Sequence, residues 1–259
     1  MDEGWVVTQD GVRLPTRWWR GGREDGRPAV VVVHGFAAHR HDPTVVAVSS
    51  AIADAGFDVL TYDARGHGQA GGLCTLGDLE RLDVAAVVAR AAVDHDRVSL
   101  VGASMGAIAA LRYAASDDPR AASLIGVVSV SSPAAWRAPR TPQVALTAAL
   151  TQTSTGRALA RRYLNVRLRP GWSRPESPVE LVGRIGVPLV VVHGRDDRFI
   201  RRHDAATLAE NATGPVLLDV VDQMGHAYHP MSHGPIARGL RWCGDGDGDL
   251  RPTGRPAST

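Results

Sequence analysis

The stretch "LVGASMG" at residues 100–106 places a serine between two glycines at the end of an apolar run. Residues 98–101 are typical of a buried strand, and the sequence after the serine is typical of a helix. In the pattern G-x-S-x-G, a serine in such a turn adopts a strained backbone that lifts its hydroxyl clear of the sheet. The glycines let the helix begin close to its strand. A helix-capping serine is the simpler reading, but the strand–turn–helix context predicts that Ser104 is a nucleophile.

Size and composition indicate a globular protein that is large enough for one well-cored domain. The chain has 259 residues, of which 44% are hydrophobic and 22% charged, and its formal net charge is +2. This charge balance gives no indication of a nucleic-acid partner. All 29 basic residues are arginine, and the absence of lysine excludes chemistry that requires a lysine amine.

The N-terminus and the cysteines indicate a cytoplasmic protein. The first residues, "MDEGWVVTQDG", are acidic and contain no apolar core of a signal peptide. The longest apolar runs are too short to span a bilayer. Cys74 and Cys243 lie far apart without metal-ligand spacing, which is typical of free thiols in a reducing compartment.

Strands and helices alternate along most of the chain. "WVVT" and "VRLPTRWW" flank the turn signal "QDG", which predicts an N-terminal antiparallel hairpin. Further strands are predicted at residues 29–35, 57–63, 97–102, 123–132, 187–194 and 215–221, and helices at residues 43–55, 76–93, 105–115, 202–211 and 231–242. This alternation predicts an α/β fold with a mostly parallel central sheet and helices on both faces.

One segment interrupts the alternation and suggests the domain organisation. Residues 133–183 are much longer than a crossover helix needs, so we expect a small cap inserted over the carboxyl edge of the sheet. Residues 1–132 and 184–243 would then form the core. The tail, residues 244–259, is rich in Gly, Pro and Asp and is predicted to be disordered.

A serine nucleophile needs a base, and the base needs a carboxylate that orients it. "VVVHGRDDRFI" places Asp196 and Asp197 directly after a buried strand, and "DVVDQMGHAYHP" places His226 after the last strand. The order Ser…Asp…His is the one expected with a G-x-S-x-G turn. Position in the loop alone leaves both aspartates open as the acid.

An oxyanion hole can be supplied by two backbone N–H groups. The segment His34-Gly35-Phe36 follows the first parallel strand, so the N–H of Phe36 could face the reacting carbonyl. The N–H of Met105, directly after the serine, is the expected second donor.

Taken together, five motifs resemble the α/β-hydrolase superfamily, and most closely its lysophospholipase and serine-aminopeptidase-like branch. They are "HGF" at 34–36, "YDARGHG" at 62–68, "GASMG" at 102–106, "HGRDDRFI" at 193–200 and "MGHA" at 224–227. The resemblance implies a serine hydrolase that cleaves an ester, thioester or small amide of a small acyl substrate, without a cofactor. Its pattern G-x-x-D-x-x-V/I favours Asp197 over Asp196 as the acid. The chain departs from the family at Ala70, where a serine or threonine is frequent.

Other functions fit parts of the sequence less well. "GHGQAG" at 66–71 matches a dinucleotide-binding pattern, but no helix is predicted to begin at its glycines. His226, His229 and His233 could suggest a metal, but Pro230 interrupts any helical face through them. A non-enzymatic ligand-binding protein on the same fold and a cofactor-free perhydrolase both remain open.

The inserted segment is unusually rich in arginine. No acidic residue occurs between Asp118 and Glu176, whereas that interval contains nine arginines. A solvated helix surface explains this composition most simply. The alternative is that guanidinium groups such as those of Arg161 and Arg162 bind an anionic substrate. The sequence leaves the oligomeric state open.

Overall fold

The computed structural model describes residues 2–22, 27–136, 142–172 and 174–245, excluding the side chains of residues 142–144, 147 and 245. Arg137, Arg140 and nearly all of the predicted disordered tail lie outside the described residues. No helix within these ranges combines the length and apolar character needed to cross a bilayer. Cys74 and Cys243 are buried free thiols, as predicted.

The described residues form a central sheet of eight strands, which confirms the predicted fold class. In space the strands run β1-β2-β4-β3-β5-β6-β7-β8. Their bounds are β1 Glu3–Val7, β2 Arg13–Trp19, β3 Ala29–Val33, β4 Val59–Tyr62, β5 Val98–Ala103, β6 Leu124–Val130, β7 Leu189–Gly194 and β8 Val216–Val221. The N-terminal hairpin pairs antiparallel and joins β4, while β3 to β8 are parallel. The carboxyl ends of the parallel strands therefore meet at one edge, here called the carboxyl edge.

Helices cover both faces of the sheet. An apolar core lies between each face and its helices. The helices are α1 Pro43–Asp54, α2 Glu80–Ala91, α3 Met105–Ala114, α4 Pro142–Gln152, α5 Ser154–Tyr163, α6 Pro178–Val182, α7 Arg202–Asn211 and α8 His233–Asp245. On one face, α1 and α8 pack against alternate valines of the strands, such as Val32 and Val101. On the other face, α2, α3 and α7 pack against the intervening residues, such as Val31 and Leu100. The valine-rich strands are buried on both sides because each face has its own layer of helices.

Two predicted helix boundaries were wrong. The helix expected at residues 76–93 begins only at Glu80, because the preceding residues form a turn in which Leu76 has a φ of 60°. The buried Glu80 carboxylate holds that turn by accepting hydrogen bonds from the N–H groups of Thr75 at 2.6 Å and Gly77 at 2.9 Å. The last helix begins at His233 rather than at residue 231, because Pro230–Ser232 form a short 3₁₀ turn.

The inserted segment contacts the carboxyl edge of the sheet. Ala160 of α5, with Val166 and Leu168 after it, forms a small apolar cluster with Cys74 and Met105. Leu168 also pairs with Cys74 in an isolated β-bridge. Because Met105 directly follows Ser104, this packing places the insertion beside the predicted nucleophile.

Candidate active site

Ser104 stands between β5 and α3 in a backbone conformation that few serines adopt. Its φ is 53° and its ψ is −115°, which is strained for a residue with a side chain. Added side chains at the flanking glycines would overlap their surroundings, because a Cβ at Gly102 would meet the backbone of α3 and one at Gly106 the carbonyl oxygens of Val33 and His34. The Ser104 N–H donates to the Val130 carbonyl at 2.9 Å, which ties the turn to β6. The structure thus has the sharp, crowded turn that the sequence predicted.

The two predicted oxyanion donors lie at neighbouring strand ends. Phe36 follows β3 and Met105 follows β5, and these strands are paired. Neither backbone N–H donates to an acceptor among the described residues. Both are therefore free to bind an oxygen that carries negative charge.

His34 shapes the loop that carries the Phe36 N–H. Its Nε2 accepts a hydrogen bond from the Ala64 N–H at 2.9 Å, so its Nδ1 carries the proton and donates to the Gly35 carbonyl at 2.8 Å. Burial lowers the pKa of His34, which keeps the ring neutral in this bonded state. His34 thus bonds to the backbone and holds the peptide that precedes the Phe36 N–H.

Asp197 and His226 are brought together from the loops after β7 and β8. Their Oδ2 and Nδ1 atoms are 2.8 Å apart. The other carboxylate oxygen of Asp197 accepts hydrogen bonds from the N–H groups of Phe199 at 2.8 Å and Ile200 at 2.9 Å. The Asp197 side chain is fully buried, whereas Asp196 is exposed and its N–H donates to the Met224 carbonyl. Geometry therefore selects Asp197, not Asp196, as the partner of His226.

The surroundings of Asp197 favour its charged form. Burial is the largest influence and acts to raise the pKa of this carboxyl. The hydrogen bond and charge of His226, with the two backbone N–H groups, outweigh burial and leave the pKa below its ordinary value. A permanent carboxylate at this position can orient the imidazole and stabilise its protonated form.

Phe199 covers one face of the His226 ring, a contact that the sequence analysis missed. The ring centroids lie 4.8 Å apart with an interplanar angle of 33°. Phe199 also donates its N–H to Asp197, so the same residue contacts both members of the pair. One feature of the sequence could have indicated this contact. Phe199 is a bulky apolar residue two positions after Asp197, in a loop where polar residues are more usual.

The side chains of Tyr228 and Ser131 hold the His226 loop over the sheet, and the sequence analysis missed both. The fully buried hydroxyl of Tyr228 lies 2.9 Å from the Val33 carbonyl and 2.8 Å from the Val101 carbonyl, and shares its proton between them. The Ala227 N–H donates to the Ser131 hydroxyl at 3.1 Å. These bonds tie the residues after His226 to β3, β5 and the end of β6. The His226 loop thereby reaches the strand that carries Ser104.

The remaining histidines form no metal site in the part of the chain that the structure describes. His229 caps the 3₁₀ turn by accepting from the Met231 N–H. His193 lies behind Asp197, and its Nε2 donates to the Ile200 carbonyl at 3.2 Å. Like His34, His193 bonds to the backbone of a loop.

Two buried arginines at the carboxyl edge, Arg40 and Arg65, are paired with carboxylates. Arg40 contacts Asp63 at 2.5 Å, and both side chains are buried. Arg65 bridges the fully buried Asp83 at 2.8 Å and Asp10 at 2.9 Å. These pairs brace the loop after β4, which faces the Phe36 loop.

Arg161 and Arg162 are not part of this arrangement. Both are exposed on α5, and the guanidinium of Arg162 lies 5.4 Å from the centroid of the Tyr163 ring. The adjacent Ala160 is the residue of α5 that packs toward Met105, so the two arginines point away from the buried face of the helix. Their predicted role in substrate binding stays a prediction.

Comparisons with known proteins agree with this architecture. A family model described as the alpha/beta hydrolase fold matches residues 28–177, more than half of the chain. The Bacillus subtilis protein YqkD, itself uncharacterised, is 29% identical over 189 residues, and the match covers 67% of this chain and 57% of that protein. The chain thus spans less than two thirds of that relative.

Solved esterase structures have a similar fold. The Pyrococcus furiosus esterase Pf2001 matches with a TM-score of 0.71 at 21% identity, covering 94% of this chain and 93% of that one. A thermophilic esterase from Thermogutta terrifontis matches with a TM-score of 0.67 at 18% identity, covering 94% and 100%. At such identities the likeness concerns the fold.

Proposed function

The chain belongs to the α/β hydrolase fold family, and from this premise we propose that it is a serine hydrolase acting on carboxylic esters, thioesters or small amides. The observation that carries the proposal is the 2.8 Å bond between His226 Nδ1 and the buried Asp197 carboxylate, in a loop tied to the strand of Ser104. An imidazole held in this way has its Nε2 available as a base.

In the proposed reaction, the Ser104 oxygen attacks the acyl carbon while His226 Nε2 takes the hydroxyl proton. The carbonyl oxygen becomes an oxyanion that accepts hydrogen bonds from the N–H groups of Phe36 and Met105. When the tetrahedral intermediate collapses, the bond to the leaving group breaks and His226 protonates that group. Water then attacks the acyl-enzyme with His226 again as base, which releases the acid and restores the serine. No metal or organic cofactor takes part.

Asp197 keeps the proton of neutral His226 on Nδ1, so that Nε2 is the unprotonated nitrogen when acylation begins and again when deacylation begins. Its lowered pKa supports this role, because the carboxylate stays charged wherever His226 cycles between its two forms. Phe199 and Tyr228 act as positioning residues through their contacts with the His226 ring and loop. Such groups contribute by fixing geometry before the reaction begins.

Two structural relatives bear the name esterase, which supports a carboxylic ester as the first substrate class to test. The motifs resemble the lysophospholipase-like branch, so long-chain esters are the natural extension of that test. Acyl chain length and leaving group depend on the insertion, whose contacts with Met105 form one wall beside Ser104.

A fluorophosphonate probe tests the proposal, because it labels an activated serine and not an inert one. We expect stoichiometric labelling of the wild-type chain and none of Ser104→Ala, together with turnover of p-nitrophenyl esters that Ser104→Ala lowers by about 10⁴-fold or more. Labelling without ester turnover would direct the search to thioesters, aminoacyl anilides or perhydrolysis. Labelling of neither protein, with no turnover, would overturn the proposal in favour of a non-enzymatic ligand-binding protein.

A further inference from the structure

His193 is a fully buried histidine that takes no part in the proposed reaction steps. It lies near the end of β7, on the strand face that also carries Leu189 and Val191, and its side chain has no exposed surface. Burying a polar ring among valines costs free energy unless hydrogen bonds replace its lost hydration. The groups around this ring therefore indicate what it contributes.

The Nε2 atom of His193 faces the loop of residues 195–200, which carries Asp197. It donates a hydrogen bond to the Ile200 carbonyl at 3.2 Å. It also lies 3.8 Å from Oδ2 of Asp197, a separation too long for a hydrogen bond. The other ring nitrogen, Nδ1, is buried and meets no partner among the described residues. The one N–H of the neutral ring is thus on Nε2 and is committed to the Ile200 carbonyl.

Ile200 connects this bond to the carboxylate of Asp197. Its carbonyl accepts from His193, while its N–H donates to Oδ1 of Asp197 at 2.9 Å. With Oδ1 held in this way, the other carboxylate oxygen, Oδ2, meets Nδ1 of His226 at 2.8 Å. Three consecutive hydrogen bonds therefore lead from β7 to the imidazole of the proposed base.

The charge of His193 matters because its ring lies so close to Asp197. The titratable groups that act on His193 are Asp197 from the adjoining loop, Asp204 from the first turn of α7, and His226 from the loop after β8. Burial is the largest influence and leaves the pKa of His193 below its ordinary value, although both carboxylates act to raise it. A neutral ring places no positive charge beside Oδ2, so the carboxylate can act undiminished on the His226 imidazolium.

We propose that His193 is a positioning residue, which holds the Ile200 backbone so that Asp197 presents Oδ2 to His226. This inference rests on the proposed function and adds a residue that supports the acid from behind. The contribution of His193 is to fix the carboxylate before a substrate binds. The rate of the chemical steps should therefore depend on its hydrogen bond, whereas substrate affinity should not.

Two replacements of His193 separate its hydrogen bond from its volume. In His193→Gln, the amide nitrogen can take the position of Nε2 and donate to the Ile200 carbonyl, whereas His193→Leu fills similar space without a donor. With a p-nitrophenyl ester, we expect His193→Leu to lower kcat by about 30-fold and to leave KM within about twofold. His193→Gln should retain kcat within about threefold of the wild-type value.

Val191→Ala is the matched control for a loss of stability alone. Val191 is buried on the same face of β7, two residues before His193, and packs in the apolar core. Its truncation leaves a cavity, so the melting temperature should fall while kcat stays within about twofold. A His193→Leu enzyme no slower than this control would overturn the proposal, and so would a His193→Gln enzyme as slow as His193→Leu.

A third replacement keeps the test decisive if His193→Leu does not fold. His193→Asn retains a polar side chain, but its shorter amide ends near the position of Nδ1 and does not reach the Ile200 carbonyl. It should therefore be slowed as His193→Leu is, whereas His193→Gln should not. Equal kcat values for the two amide variants would overturn the proposal.

Proton NMR of the same proteins examines the arrangement without catalysis. The proton between His226 Nδ1 and Asp197 should give a downfield resonance, which its absence from His226→Ala assigns. We expect that resonance in the wild type and in His193→Gln, and its broadening by exchange with water in His193→Leu. An unchanged resonance in His193→Leu would overturn the positioning role.

The two measurements together distinguish this inference from the proposed function. A wild-type chain that hydrolyses no ester, but whose His226 resonance changes as expected in His193→Leu, would count against the proposed function alone. Ester turnover that His193→Leu leaves unchanged would count against the positioning role alone.

Discussion

The carboxyl edge of the sheet and the outer surface of α5 use the same side chain in opposite ways. Arg40 and Arg65 at the edge are buried and each contacts two carboxylates, whereas Arg161 and Arg162 on α5 are exposed and contact none among the described residues. A buried guanidinium must have partners because it has lost its hydration. An exposed one remains hydrated, so it is free to interact with something outside the protein.

The same contrast extends to the neutral groups. At the edge, the backbone around Ser104 and Ala227 has positive φ values, and hydrogen bonds from several strands hold it there. On α5, the apolar residues Leu159, Tyr163 and Leu164 beside the arginines stay between 38% and 74% exposed. Strain supported by partners is typical of a preorganised site, and uncovered apolar surface is typical of a contact site. Removing a group should therefore have large effects at the edge and small effects on α5.

Changing the acid of the edge should give the largest effect. Asp197→Asn is expected to lower kcat by about 10⁴-fold, because an amide cannot stabilise the imidazolium and can favour the wrong tautomer of His226. Asp196→Asn is the matched control. Because the Asp196 carboxylate is exposed, this change should alter kcat by no more than about twofold. Steady-state kinetics on one p-nitrophenyl ester compares them. A mild Asp197→Asn beside a crippled Asp196→Asn would contradict the geometry of this loop.

Neutralising a buried arginine should cost more stability than neutralising an exposed one. Arg65→Gln leaves the fully buried Asp83 carboxylate without its main partner and should lower the free energy of unfolding by about 3–5 kcal/mol. Arg161→Gln should change it by less than about 0.5 kcal/mol. Urea denaturation followed by circular dichroism measures both. Similar losses in the two variants would remove the contrast between the regions.

Deleting one hydroxyl should have an intermediate effect on both stability and rate. Tyr228→Phe leaves the His226 loop without its bond to Val33 and Val101, so we expect a loss of about 1–2 kcal/mol and a kcat lowered by about tenfold with KM little changed. Tyr113→Phe is the control, because that buried hydroxyl meets no partner among the described residues. A purely structural Tyr228 would lower the melting temperature and leave kcat intact.

The smallest effect concerns the acid stability of Asp197. Since its pKa is lowered on folding, the carboxylate contributes stability that is present above its ordinary pKa of about 3.9 and is lost as the pH falls through the lowered value. The difference in unfolding free energy between the wild type and Asp197→Asn should thus be constant above that pH. Below it, the wild type should lose stability relative to the variant. Melting temperatures from neutral to strongly acidic pH would detect the change. A difference that does not depend on pH would contradict the lowered pKa.

Local patterns in the sequence were sufficient to predict the fold. Runs of valine and helical stretches alternate at short range, and the hydrophobic effect needs only that alternation to favour a parallel sheet with two helical layers. The wrong start of α2 shows where such patterns fail. Residues 76–79 have helical composition, but the Glu80 carboxylate binds the backbone of the preceding turn, and composition carries no information about that bond.

For the site, the sequence by itself determined the types and order of the groups, through Ser104, the aspartate pair and His226. The family pattern favoured Asp197, but only the tertiary structure showed that this aspartate faces His226 and what holds that loop in place. The hydroxyl of Tyr228 meets carbonyls that lie 195 and 127 residues earlier in the chain, and Phe199 meets His226 across two loops. Contacts at such separations form because the packing of the sheet brings strand ends together, and no local periodicity encodes them.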